Sequence, residues 1–170
     1  MKKRGGKNGQ HLYLRNLQRK VKIDAKDLRR KVNRALEVSG LSFARVGIIL
    51  VNDRRMAGYN RKFLGLNRPT DVLSFHLDSR EGEILISAET ARVQAKELRH
   101  PLAEELLTLA IHGFLHLTGH DDRTAKDRRL MFAETRRILK GVSLRANEGS
   151  VANSKRDCRG LRPRNDLHGR

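Results

Sequence analysis

The sequence contains no tryptophan, only five phenylalanines and two tyrosines, and a single cysteine, Cys158. So few aromatic rings argue against a protein that recognises nucleic acid mainly by stacking bases. One cysteine excludes an internal disulfide and, without a second thiol nearby, is a poor metal ligand. No apolar run reaches the length that spans a bilayer, and the start MKKRGGKNGQ has no hydrophobic segment behind it. These absences predict a cytoplasmic protein with no membrane partner.

Acidic residues are also scarce relative to basic ones. The 170 residues include 37 lysines and arginines against 19 aspartates and glutamates, a formal net charge of +18. Such an imbalance predicts attraction to a polyanion, for which nucleic acid is the usual partner and an anionic membrane surface is the rival. With few rings available, we expect recognition of the phosphate backbone with weak sequence preference.

Hydrophobic periodicity predicts one α+β domain. A chain of this length makes one domain with a substantial core. The patterns indicate a sheet of two to four strands, with strand-like segments at 11–16, 43–51, 72–75 and 82–87. Five helices are expected at 24–40, 52–65, 88–98, 102–117 and 124–139.

Both ends of the chain differ from this folded part. Residues 1–10 are basic and contain glycine, which predicts a flexible terminus. Residues 143–170 mix arginine, asparagine, glycine and serine with scattered apolar residues, the composition of a disordered basic tail. We therefore expect the folded domain to occupy residues 11–142. The arginines of the second helix fit either a solvated face or a surface that faces RNA.

The segment HGFLHLTGHDD, residues 112–122, is the strongest functional signal. His112 and His116 are four residues apart in a helix-like apolar run, so they share one helix face and can reach one metal ion. Gly119 favours a left-handed conformation that ends the helix, which lets His120, Asp121 or Asp122 approach the same point. The spacing to Asp122 is that of the long metal-binding signature of zinc metalloproteases.

A metal site competes with a simpler interpretation, because single histidines inside apolar helices are more often core residues than ligands. The helix-breaking glycine and a third donor at a known spacing favour the metal. Two imidazoles and a carboxylate suit zinc first, and three protein ligands leave a coordination position for water, whose pKa zinc lowers to ~7. His112, His116 and Asp122 are then catalytic through that water, with His120 and Asp121 as support or as surface residues.

The residue at the second position of the signature, Gly113, lowers the case for a peptidase, which needs a glutamate there as general base. Metal and positive charge together predict hydrolysis of phosphodiester bonds in a nucleic acid. The alternative is a non-catalytic RNA-binding protein in which the metal is structural. A metallopeptidase is a distant third.

Three segments also resemble a known family, the YbeY single-strand-specific endoribonucleases, or rRNA maturation factors. HGFLHLTGHDD is similar to the family's HGxLHLxGYDH, and NRPTDVLSF is similar to DxPTDVLSF. GEILIS followed by Glu89 and Thr90 is similar to the family's GDIxIS strand and helix start. Glu105, Met131 and Phe132 also fall where the family tends to have such residues, and the likeness covers roughly residues 10–142.

The resemblance implies a zincin-like α+β fold, with a small mixed sheet and a central helix that carries one zinc ion. It also implies endoribonuclease activity on ribosomal RNA, notably at the 3′ end of the small-subunit RNA, and a part in ribosome quality control. The expected partners are ribosomal RNA and the small ribosomal subunit, with no small-molecule cofactor. With this resemblance, the non-catalytic alternative becomes an RNA-binding ribosome-assembly factor with a structural metal site.

Two positions depart from the family pattern. Asp122 stands where the third zinc ligand is usually histidine, and His120 competes for the role although it comes two residues early. Leu64 stands where the family has an arginine near the active site. Loss of that cation weakens phosphate binding unless Arg61, Lys62 or Arg68 replaces it.

Overall fold

The computed structural model describes residues 11–157, with side chains for residues 11–144. Four strands and five helices alternate irregularly along this part of the chain, which confirms the predicted α+β class. The segments 1–10 and 158–170, predicted to be a flexible terminus and the end of a disordered tail, lie outside the described residues. In chain order the elements are β1 (His11–Asn16), α1 (Ala25–Ser39), β2 (Arg45–Val51), α2 (Asp53–Leu64), β3 (Val72–Asp78), β4 (Glu81–Ser87), α3 (Ala88–Glu97), α4 (Leu102–Leu117) and α5 (Ala125–Asp157).

The four strands form one mixed sheet in the order β1-β2-β4-β3. β2 pairs in parallel with both β1 and β4, whereas β3 pairs antiparallel with β4 through a tight connection. In this register Ile84 of β4 lies opposite Ile48 on one side and Ser74 on the other. β3 is therefore an edge strand, next to the strand on which the central helix packs.

Local capping explains where the first two helices begin and end. Asp24 accepts a hydrogen bond from the backbone of Asp27 at 2.9 Å, and Asn52 does the same for Arg55 at 2.9 Å. Gly40 and Gly65 end the helices at φ 72, a left-handed conformation that glycine adopts without strain. The predicted bounds of both helices are confirmed.

α4 is the central helix: it lies against the sheet and also contacts α1, α3 and α5, and Glu104 is its one exposed residue. Phe114 is almost fully buried and its ring lies 5.8 Å from that of Phe43. Gly113 sits directly over β4, because a Cβ atom there would lie 2.6 Å from Cγ2 of Ile84. Helix and strand can approach this closely only without a side chain at that position. His112 and His116 remain half-buried on the outer part of the helix.

The last helix is longer than the sequence pattern predicted. We expected it to stop at Gly141, but the backbone continues as helix to Asp157. A glycine inside a helix costs only about 1 kcal/mol, and here it permits a close contact: a Cβ atom at Gly141 would lie 2.5 Å from Cγ1 of Val38. The glycine therefore marks the packing of α5 on α1, and the prediction of a helix end was wrong.

Two strand bounds also differ from the expectation. β2 begins at Arg45, two residues later than predicted, although Phe43 is buried ahead of it. β3 continues three residues beyond the predicted end, because Asp78 still pairs with Glu81. Within the described part of the chain, no helix is both long and apolar enough to cross a membrane.

Candidate metal centre

Two imidazoles project from adjacent turns of α4. The centroids of the His112 and His116 rings are 4.7 Å apart, and the ring planes are nearly perpendicular at 84°. Their side chains are 33% and 30% exposed. The packing of α4 on the sheet thus fixes two nitrogen donors at the surface of the core, with access from solvent.

The chain reverses directly after α4. Oγ1 of Thr118 donates to the backbone oxygen of Leu115 at 2.9 Å, which satisfies one of the carbonyls left free at the helix end. Gly119 follows at φ 87, and its backbone nitrogen donates to the oxygen of His116 at 3.0 Å. This turn sends the following residues back past the two rings.

Asp122 is the residue that the turn returns to the histidines. Its Oδ2 lies 4.0 Å from Nε2 of His112 and 3.9 Å from Nε2 of His116. Ligands at about 2.0 Å from one tetrahedral ion lie roughly 3.3 Å apart, so the carboxylate need move by less than about 1 Å. The side chain is 46% exposed and has room to do so. The three donors therefore fit a divalent metal ion such as zinc.

His120 and Asp121, the other two candidates, lie outside this group of donors in the described structure. Nδ1 of His120 faces Oγ1 of Thr118 at 3.2 Å. The Asp121 carboxylate pairs with Arg123 at 2.6 Å and accepts the backbone nitrogen of Asp122 at 2.8 Å. Arg123 also lowers the pKa of Asp121, mainly through this hydrogen bond. Asp121 thus shapes the loop that presents Asp122.

A backbone carbonyl fixes the orientation of one ring. Nδ1 of His116 lies 3.2 Å from the oxygen of His120. Because a carbonyl can only accept, Nδ1 is the donor of this hydrogen bond, and Nε2 is the ring nitrogen that faces Asp122. Such a hydrogen bond to the second ring nitrogen is the usual companion of a histidine ligand.

The electrostatics of the site also favour the metal-binding form of His112. Burial lowers the pKa of His112 below its ordinary value of 6.5, and the neighbouring His116 lowers it further. Asp122 and Asp71 act in the opposite direction. The lowered pKa favours the neutral ring, the form that binds a metal.

Two supporting residues were missed at the sequence level. Arg128 of α5 donates from Nη1 to the backbone oxygens of Asp122 and Arg123, both at 3.1 Å, and so holds the loop in place. The Asp71 carboxylate accepts from the backbone nitrogen of Val72 at 2.8 Å. Its charge also acts on His112, which nothing in its sequence context could indicate.

A buried acidic group lies on the same helix. Glu105 is 4% exposed and pairs with His100 at 3.0 Å. Burial raises its pKa, an effect that His100 opposes. The negative charge of Asp71 adds to this rise.

The three predicted phosphate-binding cations are exposed. Arg61 and Lys62 are exposed near the end of α2, and Arg68 is exposed in the following loop. In the part of the chain with described side chains, none of them bonds to a metal-site residue. Leu64 is 59% exposed beside them, at the position where the family pattern has arginine.

Comparison with known proteins agrees with this architecture. Residues 13–143 match the family described as Endoribonuclease YbeY. A Geobacillus protein named Endoribonuclease YbeY is 37% identical over 129 residues, covering 66% of this chain and 83% of that protein. Its counterpart of the same name from Pelotomaculum thermopropionicum is 34% identical over 144 residues, covering 76% and 95%.

A solved structure shows the same fold. The solution structure of a Thermotoga maritima protein superposes with a TM-score of 0.57 at 27% identity, covering 80% of this chain and 93% of that one. The extent of the family match, the similarity to these relatives and the three convergent donors lead to one conclusion: the chain belongs to the YbeY endoribonuclease family.

Proposed function

We propose that this protein is a zinc-dependent endoribonuclease that cleaves single-stranded RNA in the maturation of ribosomal RNA. The convergence of His112, His116 and Asp122 on one point carries the proposal. Relatives that are similar over most of their length are named endoribonucleases, which supports RNA as the substrate.

The geometry favours a catalytic role for the metal over a structural one. Structural zinc sites are usually closed by four protein ligands. Here three donors converge, and all three side chains are at least 30% exposed. A divalent ion held there would supply Lewis acidity, which stabilises charge on a phosphodiester and lowers the pKa of water.

The residues of the chain hold and orient this centre. The backbone carbonyl of His120 accepts a hydrogen bond from Nδ1 of His116, so that Nε2 is the ring nitrogen available to bind the metal. Asp121 and Arg128 position the loop that carries the third ligand. Gly113 leaves no side chain between α4 and β4, and therefore no peptidase-type general base can act from that position.

Positive charge supplies the attraction for RNA. The net charge of +18 favours salt-dependent binding to phosphates, with Arg61, Lys62 and Arg68 as proposed contacts. The motif resemblance points further to the 3′ end of the small-subunit RNA, to ribosome quality control and to the ribosome as partner. Work on ribosomes would place the protein in the cytoplasm.

The proposal is tested by cleavage of single-stranded RNA with and without a chelator, using the purified full chain. We expect one zinc per chain, cleavage that stops on metal removal and returns with zinc, and no cleavage of a duplex of the same sequence. His116→Ala should be inactive, whereas His11→Ala, an exposed histidine on β1, should behave as the unmodified protein.

Two results would overturn the proposal. Cleavage that survives both the chelator and His116→Ala would exclude a role for the metal. Bound metal and sedimentation with ribosomes, without cleavage of any ribosomal RNA precursor, would identify an assembly factor with a structural metal.

A further inference from the structure

A cavity of about 610 Å³ opens between α4 and α5 beside the metal-site donors. His112 and Asp122 form its wall on the side of the metal site, and Thr108 and Leu139 line it further along the helices. Its volume lies within the roughly 300–1,000 Å³ typical of ligand pockets. A molecule in this cavity would lie next to His112 and Asp122, two of the three metal-site donors.

The cavity combines a buried apolar floor with one exposed ring. Met131 and Thr135, 1% and 6% exposed, form the floor. Phe132 lines the same cavity but is 64% exposed, and the guanidinium carbon of Arg136 lies 5.7 Å from the centre of its ring. One exposed phenylalanine alone means little. At the mouth of a cavity beside metal-site donors, its ring provides a flat surface for stacking.

The charges around the ring suit a polyanion. Arg129 also lines the cavity, and its guanidinium makes no hydrogen bond or ion pair with any residue whose side chain is described. Arg128, by contrast, is engaged by the loop at Asp122 and Arg123. The one carboxylate among the lining residues is Asp122, the proposed metal ligand. Arg129 therefore offers a cation that has no partner among the described side chains, in a cavity whose only lining carboxylate is Asp122.

We infer that this cavity is a nucleotide subsite, in which one unpaired base of an RNA strand stacks on Phe132 while Arg129 contacts a backbone phosphate. The inference rests on the proposed function and adds to it the position of the substrate. A base within a duplex is already stacked on its neighbours and paired, so it cannot enter. The subsite thus gives a physical reason for a preference for single strands.

The test compares single substitutions at Phe132 in the full-length protein. The probe is a single-stranded oligoribonucleotide with one 2-aminopurine, whose fluorescence reports stacking. Binding is measured with chelated protein, and kcat and KM are measured with zinc. Phe132→Ala and Phe132→Leu remove the ring, whereas Phe132→Trp keeps an aromatic face. Leu130→Ala is the matched control, because Leu130 is 57% exposed on the same helix and does not line the cavity.

A stacked base corresponds to roughly a 5- to 150-fold change in affinity, so we expect Kd and KM to rise by that factor in Phe132→Ala and Phe132→Leu. Phe132→Trp should restore them, and Leu130→Ala should change neither. Zinc content and the circular dichroism spectrum should be the same in all four variants, which separates loss of the subsite from loss of the metal or the fold.

Three results would overturn the inference. If the unmodified protein cleaves RNA but Phe132→Ala and Leu130→Ala are equivalent, the subsite is absent while the proposed function stands. If the unmodified protein neither binds nor cleaves RNA, the proposed function fails and the inference fails with it. If Phe132→Ala instead abolishes self-association and leaves RNA binding intact, the ring belongs to an interface between copies of the chain.

Discussion

Two regions of the surface both combine exposed cations with an exposed phenylalanine, but only one of them lies beside a group of metal-ligand donors within the described residues. The α2 face, defined by Arg61, Lys62, Phe63 and Arg68, carries three exposed cations and a ring that is 51% exposed, with Nζ of Lys62 5.4 Å from its centre. The α4–α5 cavity likewise has an exposed phenylalanine with a cation over it. Metal-ligand donors converge beside the cavity, whereas within the described residues no such group lies on the α2 face.

The difference shows that charge and aromatic residues do not by themselves mark a catalytic site. The cations of both regions suit a polyanion, but a site for chemistry also needs donors that meet at one point. Helix α4 supplies two of them at its fixed spacing, and the turn at Gly119 supplies the third. We therefore propose that the α2 face contributes general RNA affinity and that the chemistry takes place at the donors beside the α4–α5 cavity.

The largest effect is expected from the third ligand. Asp122→Ala should weaken zinc binding by more than about 100-fold, because only the two imidazoles then hold the ion. This exceeds the effect of removing a hydrogen bond that merely supports a ligand. Asp122→His keeps a donor and should retain most of the affinity. His120→Ala is the control, since His116 bonds to the backbone oxygen of this residue and not to its ring. Zinc affinities measured by competition with a chromogenic chelator would contradict the assignment if His120→Ala proved the more damaging change.

The two regions also predict opposite effects of the same substitution at a helical glycine. Gly113→Ala places a methyl group 2.6 Å from Ile84, which is fully buried, and should lower the free energy of unfolding by about 1–3 kcal/mol. Gly58→Ala on α2 meets nothing within 4 Å and should raise it by roughly 0.5–1 kcal/mol through better helix propensity. Urea denaturation gives the free energy of unfolding of both variants. Equal values for Gly113→Ala and Gly58→Ala would contradict the close contact of α4 with β4.

Removal of the three α2 cations should change salt dependence more than catalysis. Each lost phosphate contact lowers the slope of log affinity against log salt by roughly 0.7 for a single strand, so Arg61→Ala, Lys62→Ala and Arg68→Ala together should lower it by roughly 2. We expect kcat to remain within about twofold. A large loss of kcat with an unchanged salt slope would show that these residues act in the chemical step and not in RNA binding. A charge-matched control replaces exposed lysines on other surfaces: Lys22, Lys26 and Lys140.

The smallest effect is a shift in the titration of His112. Its folded-state pKa is lowered, so the neutral ring contributes stability that is present above pH 6.5 and is lost as the pH falls through the lowered value. In metal-free protein, NMR of the imidazole nitrogens should show His112 titrating below 6.5. In His116→Ala the pKa should rise, because one of its two lowering causes is gone. A midpoint at or above 6.5 in the unmodified protein would contradict the described burial.

Local signals explain the parts of the fold that the sequence could predict. The helix bounds at Asp24 and Gly40 follow from a capping side chain and a left-handed glycine, both of which are encoded within a few residues. The strand order β1-β2-β4-β3 could not be predicted, because parallel pairing joins distant segments. The continuation of α5 through Gly141 was missed for the same reason, since it depends on contact with Val38.

In the candidate site, too, the features encoded by local sequence could be predicted, and those that depend on tertiary contacts could not. The pairing of His112 with His116 is a property of helical spacing and was visible in the sequence. The choice between His120 and Asp122 was left open, because it depends on how the loop folds after Gly119. In the structure Arg123 engages Asp121 and Arg128 engages the loop backbone, which brings Asp122 to the histidines. Residues that act only through tertiary contacts, such as Arg128, had no sequence signal.

The most direct test of the account is a zinc titration of the metal-free protein, followed by the initial rate of single-stranded RNA cleavage. We predict that the rate rises linearly and saturates at one zinc per chain, and that Asp122→Ala shows no rise over the same range. A rate that is already maximal without zinc, or a titration that is unchanged in Asp122→Ala, would contradict the claim that the two histidines and this aspartate hold the catalytic metal.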